Sequence, residues 1–251
     1  MVHIVGAGCG APDLITLRGK RYIEQADVII YAGSLVNREL LAFARPDCEI
    51  FDSAKMTLEE IIDVIRSAEQ DNKMTVRFHT GDPSLYGAIG EQMREFDKLG
   101  IEYDITPGVS AFSGAAAALK AEYTLPDVSQ TVIISRAAGN TPVPDRESLR
   151  SLASHRATMV LFLSANLSGR VAKELIEGGY PAETPAAIVY KASWEDEKIC
   201  RCTLATLEET AKQNGIFKTA LIVVGDFLDS EFLRSHLYDP SFSTEFREAK
   251  K

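Results

Sequence analysis

The residues best suited to bind a ligand lie in four short segments, each at the carboxyl end of a predicted strand. The segments are Gly6–Asp13, Tyr31-Ala32-Gly33-Ser34, His79-Thr80-Gly81-Asp82-Pro83-Ser84-Leu85-Tyr86-Gly87 and Thr106-Pro107-Gly108-Val109-Ser110-Ala111. Glycine lets a backbone approach a ligand closely, and proline restricts a loop before any ligand binds. Because ligands bind beyond the carboxyl ends of the strands in open parallel sheets, the four segments predict a binding cleft.

The first segment contains the pattern Gly6-x-Gly8-x-x-Ala11, which resembles the dinucleotide-binding fingerprint. In that fingerprint the helix starts inside the pattern, and an acidic residue ends the second strand. Here Pro12-Asp13 follows, helical periodicity begins only near Thr16, and the second strand ends at Tyr31-Ala32-Gly33. These departures argue against a nicotinamide or flavin site. They leave two interpretations, an ordinary tight turn and the floor of a site for another ligand.

The sequence contains no arrangement of side chains typical of a nucleophile or a metal centre. It has no Gly-x-Ser-x-Gly, Walker or His-Glu-x-x-His motif, and its four cysteines match neither a zinc pattern nor a disulfide framework. His79 and Asp82 are the weak candidates for a general base, so the catalytic residues are unassigned and no resident metal is expected. Group transfer from an activated donor fits this composition, since positioning alone lowers a barrier by about 7–11 kcal/mol.

Composition narrows the class of protein. The 251 residues carry a net charge of −9, with 45% hydrophobic and 25% charged residues, close to the average for soluble globular proteins. The acidic excess disfavours nucleic acid as a partner, and no apolar run approaches the roughly 20 residues of a membrane span. The first strand begins near His3, which leaves no room for a signal peptide. We therefore expect a soluble, cytoplasmic protein with no membrane partner.

Apolar runs of strand length alternate with segments of helical period, which predicts an α/β fold. The strands Ala186–Tyr190 and Lys198–Leu204 are too close in sequence for a helical crossover, so we expect them to pair antiparallel. Thr57-Leu58-Glu59-Glu60 and Thr206-Leu207-Glu208-Glu209 each predict a helix that starts with a capping box. The prediction is a first domain over 1–120 with a mainly parallel sheet, a linker over 121–130, a second domain over 131–228 with a mixed sheet, and a tail over 229–251.

Several motifs together resemble the tetrapyrrole (corrin/porphyrin) methylase family, and the resemblance extends to about residue 228. They are Val5–Gly19, Ala26-Asp27-Val28, Gly81-Asp82-Pro83-Ser84 and Pro107-Gly108-Val109-Ser110-Ala111. Within the family, further segments resemble the members that methylate carbon 11 of precorrin-4 or cobalt-precorrin-4 in cobalamin biosynthesis. These segments are Tyr31–Val36, Leu85–Ile89, Thr124–Thr131, Arg136–Pro144 and Ala192-Ser193-Trp194. One departure is Cys9, where the family usually has proline.

The resemblance implies a two-domain methyltransferase, a homodimer, with its active site in the cleft between the domains. It implies S-adenosylmethionine as methyl donor and S-adenosylhomocysteine as product. Carried over by motif, the donor is expected to contact Gly81, Asp82, Leu85, Tyr86, Ser110, Ala111, Leu163, Ala192 and Ala220. Asp82 is expected to accept hydrogen bonds from the ribose or amino group of the donor. The tetrapyrrole is expected to lie against Tyr31, Ser34, His79 and Arg136.

Three alternatives stay open at this point. One is a family member that acts at a different ring carbon or makes a siroheme precursor. Another is a nicotinamide-dependent oxidoreductase built on the first segment. The third is a protein that binds the donor or the macrocycle without turnover. The sequence also leaves open whether the natural macrocycle contains cobalt.

Overall fold

The chain folds into two α/β units in a computed structural model that describes residues 1–229, 231 and 233–249, apart from the side chains of Ser34 and His236. The first unit comprises Met1–Ala115 and Lys191–Glu197, and the second comprises Ala116–Tyr190 and the residues from Lys198 onward. Sequence analysis did not anticipate that a segment near residue 194 would join the first unit. The domain bounds 1–120 and 131–228 stay a prediction.

The first unit is built on a five-stranded sheet in which all neighbouring strands are parallel, as the sequence predicted. The strands are β1 (Val2–Gly6), β2 (Val28–Tyr31), β3 (Glu49–Asp52), β4 (Thr75–His79) and β5 (Tyr103–Thr106), in the order β3-β2-β4-β1-β5. The helices are α1 (Leu17–Gln25), α2 (Leu58–Gln70), α3 (Ile89–Leu99) and the first part of α4 (Ala111–Leu119), which continues into the second unit from Ala116. Strand β3 was not predicted, because it lies at the sheet edge, where half-exposed residues form no continuous apolar run.

The two faces of this sheet are covered by different helices. Ile23 of α1 belongs to one apolar cluster, whereas Ile65 of α2 and Phe96 of α3 belong to another. The chain therefore leaves β1 and β4, which are neighbours in the sheet, toward opposite faces. Ligands of open parallel sheets bind at such a point, beyond the carboxyl ends of the strands. This topology places the candidate site beside Gly6 and His79.

The second unit contains a mixed five-stranded sheet, which confirms the predicted fold class. Its strands are β6 (Val132–Arg136), β7 (Thr158–Phe162), β8 (Pro185–Tyr190), β9 (Lys198–Thr203) and β10 (Ala220–Val224), in the order β6-β7-β10-β8-β9. Only β6 and β7 pair in parallel, and β8 and β9 pair antiparallel, as predicted. The helices are α5 (Leu149–Ala153), α6 (Ser168–Gly178) and α7 (Leu207–Gln213).

One of the two predicted capping boxes is present, and the other was wrong. At α2 the Thr57 hydroxyl accepts from the Glu60 N–H (3.3 Å), and the Glu60 carboxylate accepts from the Thr57 N–H (2.7 Å). At α7 the Thr206 hydroxyl instead accepts from the N–H of Thr203 (3.1 Å), which starts a short 3₁₀ turn ahead of the helix. The inserted turn moves the cap three residues upstream. In the part of the chain that the structure describes, no helix has both the length and the apolar character to cross a membrane.

Candidate active site

The loops that follow β1 and β4 are bound to each other through their backbones. The Ala7 N–H donates to the carbonyl of His79 (2.7 Å). Gly8 and Gly81 exchange two hydrogen bonds, of 3.2 Å and 2.8 Å, and so form a short antiparallel bridge. The two loops are thus held as one surface beyond the sheet.

Three glycines make this arrangement possible, and we call them the glycine junction: Gly6, Gly81 and Gly108. A β-carbon on Gly6 would lie 2.6 Å from the Gly81 carbonyl oxygen and 2.6 Å from the Gly108 backbone. A β-carbon on Gly108 would lie 2.1 Å from the same oxygen. Neither position has room for a side chain, because three loops meet there at backbone distance. The glycines that resemble a dinucleotide fingerprint therefore serve contacts within the protein.

Asp82 ties the β4 loop to the loop after β5. One carboxylate oxygen accepts from the Gly108 N–H (2.9 Å), and the other accepts from the N–H (2.9 Å) and the hydroxyl of Ser84. Burial acts to raise the pKa of Asp82, but the hydrogen bonds from Ser84 and Gly108 lower it below its usual value. Asp82 is therefore ionised and engaged by donors of its own unit. Its expected bond to the donor's ribose or amino group stays a prediction.

The structure brings several of the predicted donor residues together in the first unit. A β-carbon on Gly81 would lie 3.6 Å from the Ala111 nitrogen and 3.7 Å from the Ser110 Cα, an ordinary contact distance. Ser110, at the start of α4, is buried. One turn further along α4, a β-carbon on Gly114 would lie 3.4 Å from the Cβ of Ala192. Gly81, Ser110, Ala111 and Ala192 thus border one region.

The segment Lys191–Glu197 covers the first glycine-rich loop, which sequence analysis missed. The Trp194 indole N–H donates to the Cys9 carbonyl (3.1 Å), and the Ser193 hydroxyl accepts from the Ala11 N–H (3.0 Å). A β-carbon on Gly10 would lie 2.2 Å from the Trp194 ring. Ser193 also shares a hydrogen bond with the Cys9 thiol (3.3 Å) across 184 residues of sequence. Nothing local in the sequence links the two segments, so this contact could not be predicted from the sequence.

Several residues at the candidate site have left-handed backbone conformations that are costly for side chains other than glycine. In the first unit they are Tyr86 (φ 57°), Ala88 (φ 50°), Lys191 (φ 47°) and Ser193 (φ 68°). In the second unit Leu163 has φ 53° and is nevertheless an apolar residue that is 64% exposed. Such strain concentrates at functional sites, where the surrounding structure maintains it.

The predicted site residues of the second unit lie at one end of the strands of its sheet. Arg136 is paired with Phe162, and Ala220 with Tyr190. Carrying the β7–β10 register two residues beyond the Ile222–Leu161 pair places Ala220 opposite Leu163. The Arg136 guanidinium donates to the carbonyls of Thr141 (3.2 Å) and Pro142 (2.8 Å), so it holds the loop after β6. Its contact with the substrate stays a prediction.

The residues predicted to contact the macrocycle have unlike environments. His79 is 4% exposed, and its Nε2 has no hydrogen-bond partner among the described residues. Burial, and next the charge of Arg77, lower the pKa of His79 to about 3, so the ring is neutral at pH 7. Tyr31 is buried in the core cluster with Val5 and Phe78, which leaves little of its side chain accessible. The side chain of Ser34 lies outside the described residues.

The pKa values of His79 and Asp82 also decide whether either residue could act as a proton acceptor. A histidine whose pKa is about 3 and a carboxylate whose pKa is lowered are both weak bases at neutral pH. The described residues include no group of three His, Cys, Asp or Glu side chains placed to hold a metal ion.

Comparison with known proteins assigns the chain to a family. Residues 1–208 match the family of Tetrapyrrole (Corrin/Porphyrin) Methylases. The chain belongs to the tetrapyrrole methylase family. Its relatives include a cobalt-precorrin-4 C(11)-methyltransferase of Methanocaldococcus jannaschii, 56% identical over 100% of this chain and 97% of the relative. They also include a precorrin-4 C(11)-methyltransferase of Mycobacterium tuberculosis, 47% identical over 94% of this chain and 95% of the relative.

Solved structures of the family agree with the fold described above. An X-ray structure of the cobalamin biosynthetic enzyme cobalt precorrin-4 methyltransferase is 48% identical to this chain, with a TM-score of 0.89, and the match covers 91% of this chain and 96% of that one. A Thermus thermophilus uroporphyrin-III C-methyltransferase was solved in complex with S-adenosylhomocysteine. It is 27% identical, with a TM-score of 0.75, and the match covers 91% of this chain and 93% of that one.

The glycine junction leads to a stability prediction. We expect Gly108→Ala to lower the free energy of unfolding by about 1–3 kcal/mol or more, because its methyl group would overlap the Gly81 carbonyl. Gly90→Ala is the matched control, since a β-carbon there meets nothing within 4 Å and Gly90 lies in α3. Alanine stabilises a helix by up to about 1 kcal/mol over glycine, so Gly90→Ala should not lower the free energy of unfolding. Urea unfolding of both variants measures the difference, and equal midpoints would contradict the junction.

His79 leads to a prediction on pH. Its pKa is about 6.5 in an unfolded chain and about 3 in the fold, so between these values the unfolded chain binds a proton that the folded chain does not. Stability should therefore fall as the pH drops from 6.5, by up to about 1.4 kcal/mol per pH unit from this group. We expect His79→Gln to flatten that slope between pH 6.5 and 4.5 in urea unfolding.

The exposed His155 supplies the control, because His155→Gln changes a histidine that the fold does not bury. Its slope should match that of the parent protein. Identical slopes for His79→Gln and the parent would show that His79 is not held in its neutral form.

Proposed function

We propose that this chain transfers a methyl group from S-adenosylmethionine to carbon 11 of cobalt-precorrin-4 or precorrin-4, in the synthesis of the corrin ring. The observation that carries the proposal is 56% identity over the whole chain to a relative of that name. The donor motifs of the first unit support it, because Gly81, Ser110, Ala111 and Ala192 border one region beyond its sheet. The higher identity of the cobalt-named relative favours cobalt-precorrin-4 as the substrate.

The residues at the site fit a sulfonium nucleoside. Gly81, Asp82, Leu85, Tyr86, Ser110, Ala111 and Ala192 of the first unit, with Leu163 and Ala220 of the second, would hold the donor. Tyr86 and Leu163 are 44% and 64% exposed and so would offer apolar surface to a purine. Gly6 and Gly108 let the three loops that carry these residues pack together without intervening side chains. The bound donor supplies an electrophilic methyl group on positively charged sulfur.

The protein's contribution to the reaction is then mainly geometric. The loops after β1, β4 and β5 are linked by the glycine junction and by Asp82, so they move little when ligands bind. Holding the attacking carbon and the methyl group in line removes much of the entropic barrier. We infer that neither His79 nor Asp82 receives the proton lost after methyl transfer, because both have low pKa values.

The macrocycle would contact the site through hydrogen bonds and at least one cation. His79 is neutral and only 4% exposed, so in its predicted contact with the substrate it would offer no charge. Arg136 offers the charge for a carboxylate, beyond the carbonyls that it already binds. Tyr31 and Ser34 complete the proposed substrate contacts. The homodimer and the cytoplasmic location also stay predictions.

Turnover with a labelled donor tests the proposal. Purified protein is incubated with S-adenosylmethionine that carries a ¹³C methyl group and with cobalt-precorrin-4 or precorrin-4 in parallel reactions. We expect one new methyl signal at carbon 11 in the carbon NMR spectrum of the product, with the cobalt substrate converted faster. A methyl group at another carbon would identify a different member of the family. Donor binding without any methylated product would identify a binding protein.

Asp82→Ala should weaken the binding of S-adenosylhomocysteine at least tenfold, or about 1.4 kcal/mol. The carboxylate holds the Ser84 and Gly108 N–H groups, so its loss releases the loop that the donor contacts. Trp194 is the single tryptophan of the chain and contacts Gly10 in the same unit, so its fluorescence can report the titration, with calorimetry as a check.

Asp63→Ala is the control, because Asp63 is an exposed residue of α2 paired with Arg66. It should bind the product as the parent protein does. Unchanged affinity in Asp82→Ala would remove Asp82 from the donor site.

A further inference from the structure

The loop 82–88 is anchored at its far end by a buried side chain, that of Gln92 in α3. The Gln92 amide NH₂ donates to the carbonyl of Ala88 (3.2 Å), and its oxygen accepts from the Nε of Arg77 (2.8 Å). Arg77 in turn donates to the carbonyl of Ile30 in β2 (2.9 Å). Gln92 and Arg77 are 4% and 5% exposed. A buried polar chain thus runs from the middle of the sheet to the end of the loop.

Arg77 determines which way the Gln92 amide faces. A guanidinium has only hydrogen-bond donors, so the oxygen of the amide must face Arg77 and its NH₂ must face Ala88. Burial lowers the pKa of Arg77 to about 10, which leaves the group charged at neutral pH. Both of its hydrogen bonds described here go to uncharged oxygens, and a buried charge is costly unless it is well bonded. The arrangement is expensive for stability alone, which suggests that its orientation of Gln92 matters.

The loop needs such an anchor because its backbone is strained. Tyr86 and Ala88 both have positive φ angles, a conformation that is unfavourable for residues with a side chain. Gly87 between them has no room for a side chain, since a β-carbon would lie 2.2 Å from the Pro83 carbonyl. Asp82 fixes the start of the loop through Ser84 and Gly108. Gln92 fixes the end, through the carbonyl of Ala88.

We propose that Gln92 is a positioning residue for the methyl donor, which it affects by holding Ala88 and hence the strained Tyr86 segment in its binding conformation. This inference rests on the proposed function, in which the loop 82–88 contacts S-adenosylmethionine. Gln92 itself touches neither substrate. Its effect should therefore fall on donor affinity and on the KM for the donor, with kcat near that of the parent enzyme.

Gln92→Glu separates the two halves of the link. The carboxylate still accepts from Arg77, so the bond to the sheet is kept, but an oxygen replaces the NH₂ that donates to Ala88. We expect the dissociation constant for S-adenosylhomocysteine to rise at least fivefold, measured by Trp194 fluorescence. The KM for S-adenosylmethionine should rise in parallel. Glu91→Gln, on the exposed side of the same helix, should match the parent.

Ala88→Gly provides the rescue. Glycine adopts positive φ about as readily as negative φ, so the loop no longer needs the Gln92 bond to hold that residue. In the Ala88→Gly background, Gln92→Glu should change the dissociation constant by less than twofold. If Gln92→Glu does not fold, Gln92→Met, which removes both hydrogen bonds at similar length, enters the same comparison.

The outcomes separate this inference from the proposed function. An equal loss of affinity in both backgrounds, or no loss in either, would overturn the positioning role. Failure of the parent protein to bind S-adenosylhomocysteine or to methylate either tetrapyrrole would instead overturn the proposed function. Normal binding by the parent with an unaffected Gln92→Glu variant leaves the function intact and removes only Gln92.

Discussion

The candidate site depends on the direct backbone contact of Gly6, Gly81 and Gly108. Three strands deliver their loops to one place, and the loops meet at distances that only glycine permits. Hydrogen bonds between Gly8 and Gly81, and from Gly108 to Asp82, then lock the contact. Close packing of this kind transmits displacement rather than absorbing it. Displacement of any one of the three loops must therefore displace the other two.

The electrostatics of the site agree with chemistry in which the donor brings the reactive charge. Asp82 is ionised but bonded to N–H groups of its own loops, and His79 is neutral beside the charged Arg77. Arg77 donates hydrogen bonds to uncharged oxygens, one of which is the side-chain oxygen of Gln92, and thereby orients that amide. The charged and titratable groups near the β4 loop thus hold the loops of the site in position. Catalysis by alignment requires this kind of rigid surface and little acid–base capacity.

Much of the first unit could be predicted because its signals are local in sequence. The buried parallel strand β2 is a continuous apolar run, and the glycine-rich loops are recognisable from their composition. Strand β3 escaped prediction because an edge strand leaves no such run. The capping box predicted at Thr206 was wrong because the Thr206 hydroxyl accepts instead from the N–H of Thr203, in a 3₁₀ turn before the helix. Which atoms meet in the glycine junction, and the contact of Trp194 with Gly10, depend on tertiary packing that no local pattern encodes.

The place of residues 191–197 in the first unit has a consequence for how the polypeptide is made. All five strands of the parallel sheet have left the ribosome once residue 106 has cleared the exit tunnel. The Ala11 amide and the Cys9 carbonyl nevertheless form their hydrogen bonds with Ser193 and Trp194. These two residues are synthesised after β6, β7 and β8. The first unit is therefore finished late, with most of the second already emerged. A gene cut between the two sheets would yield a first half that lacks the cover of its own glycine-rich loop.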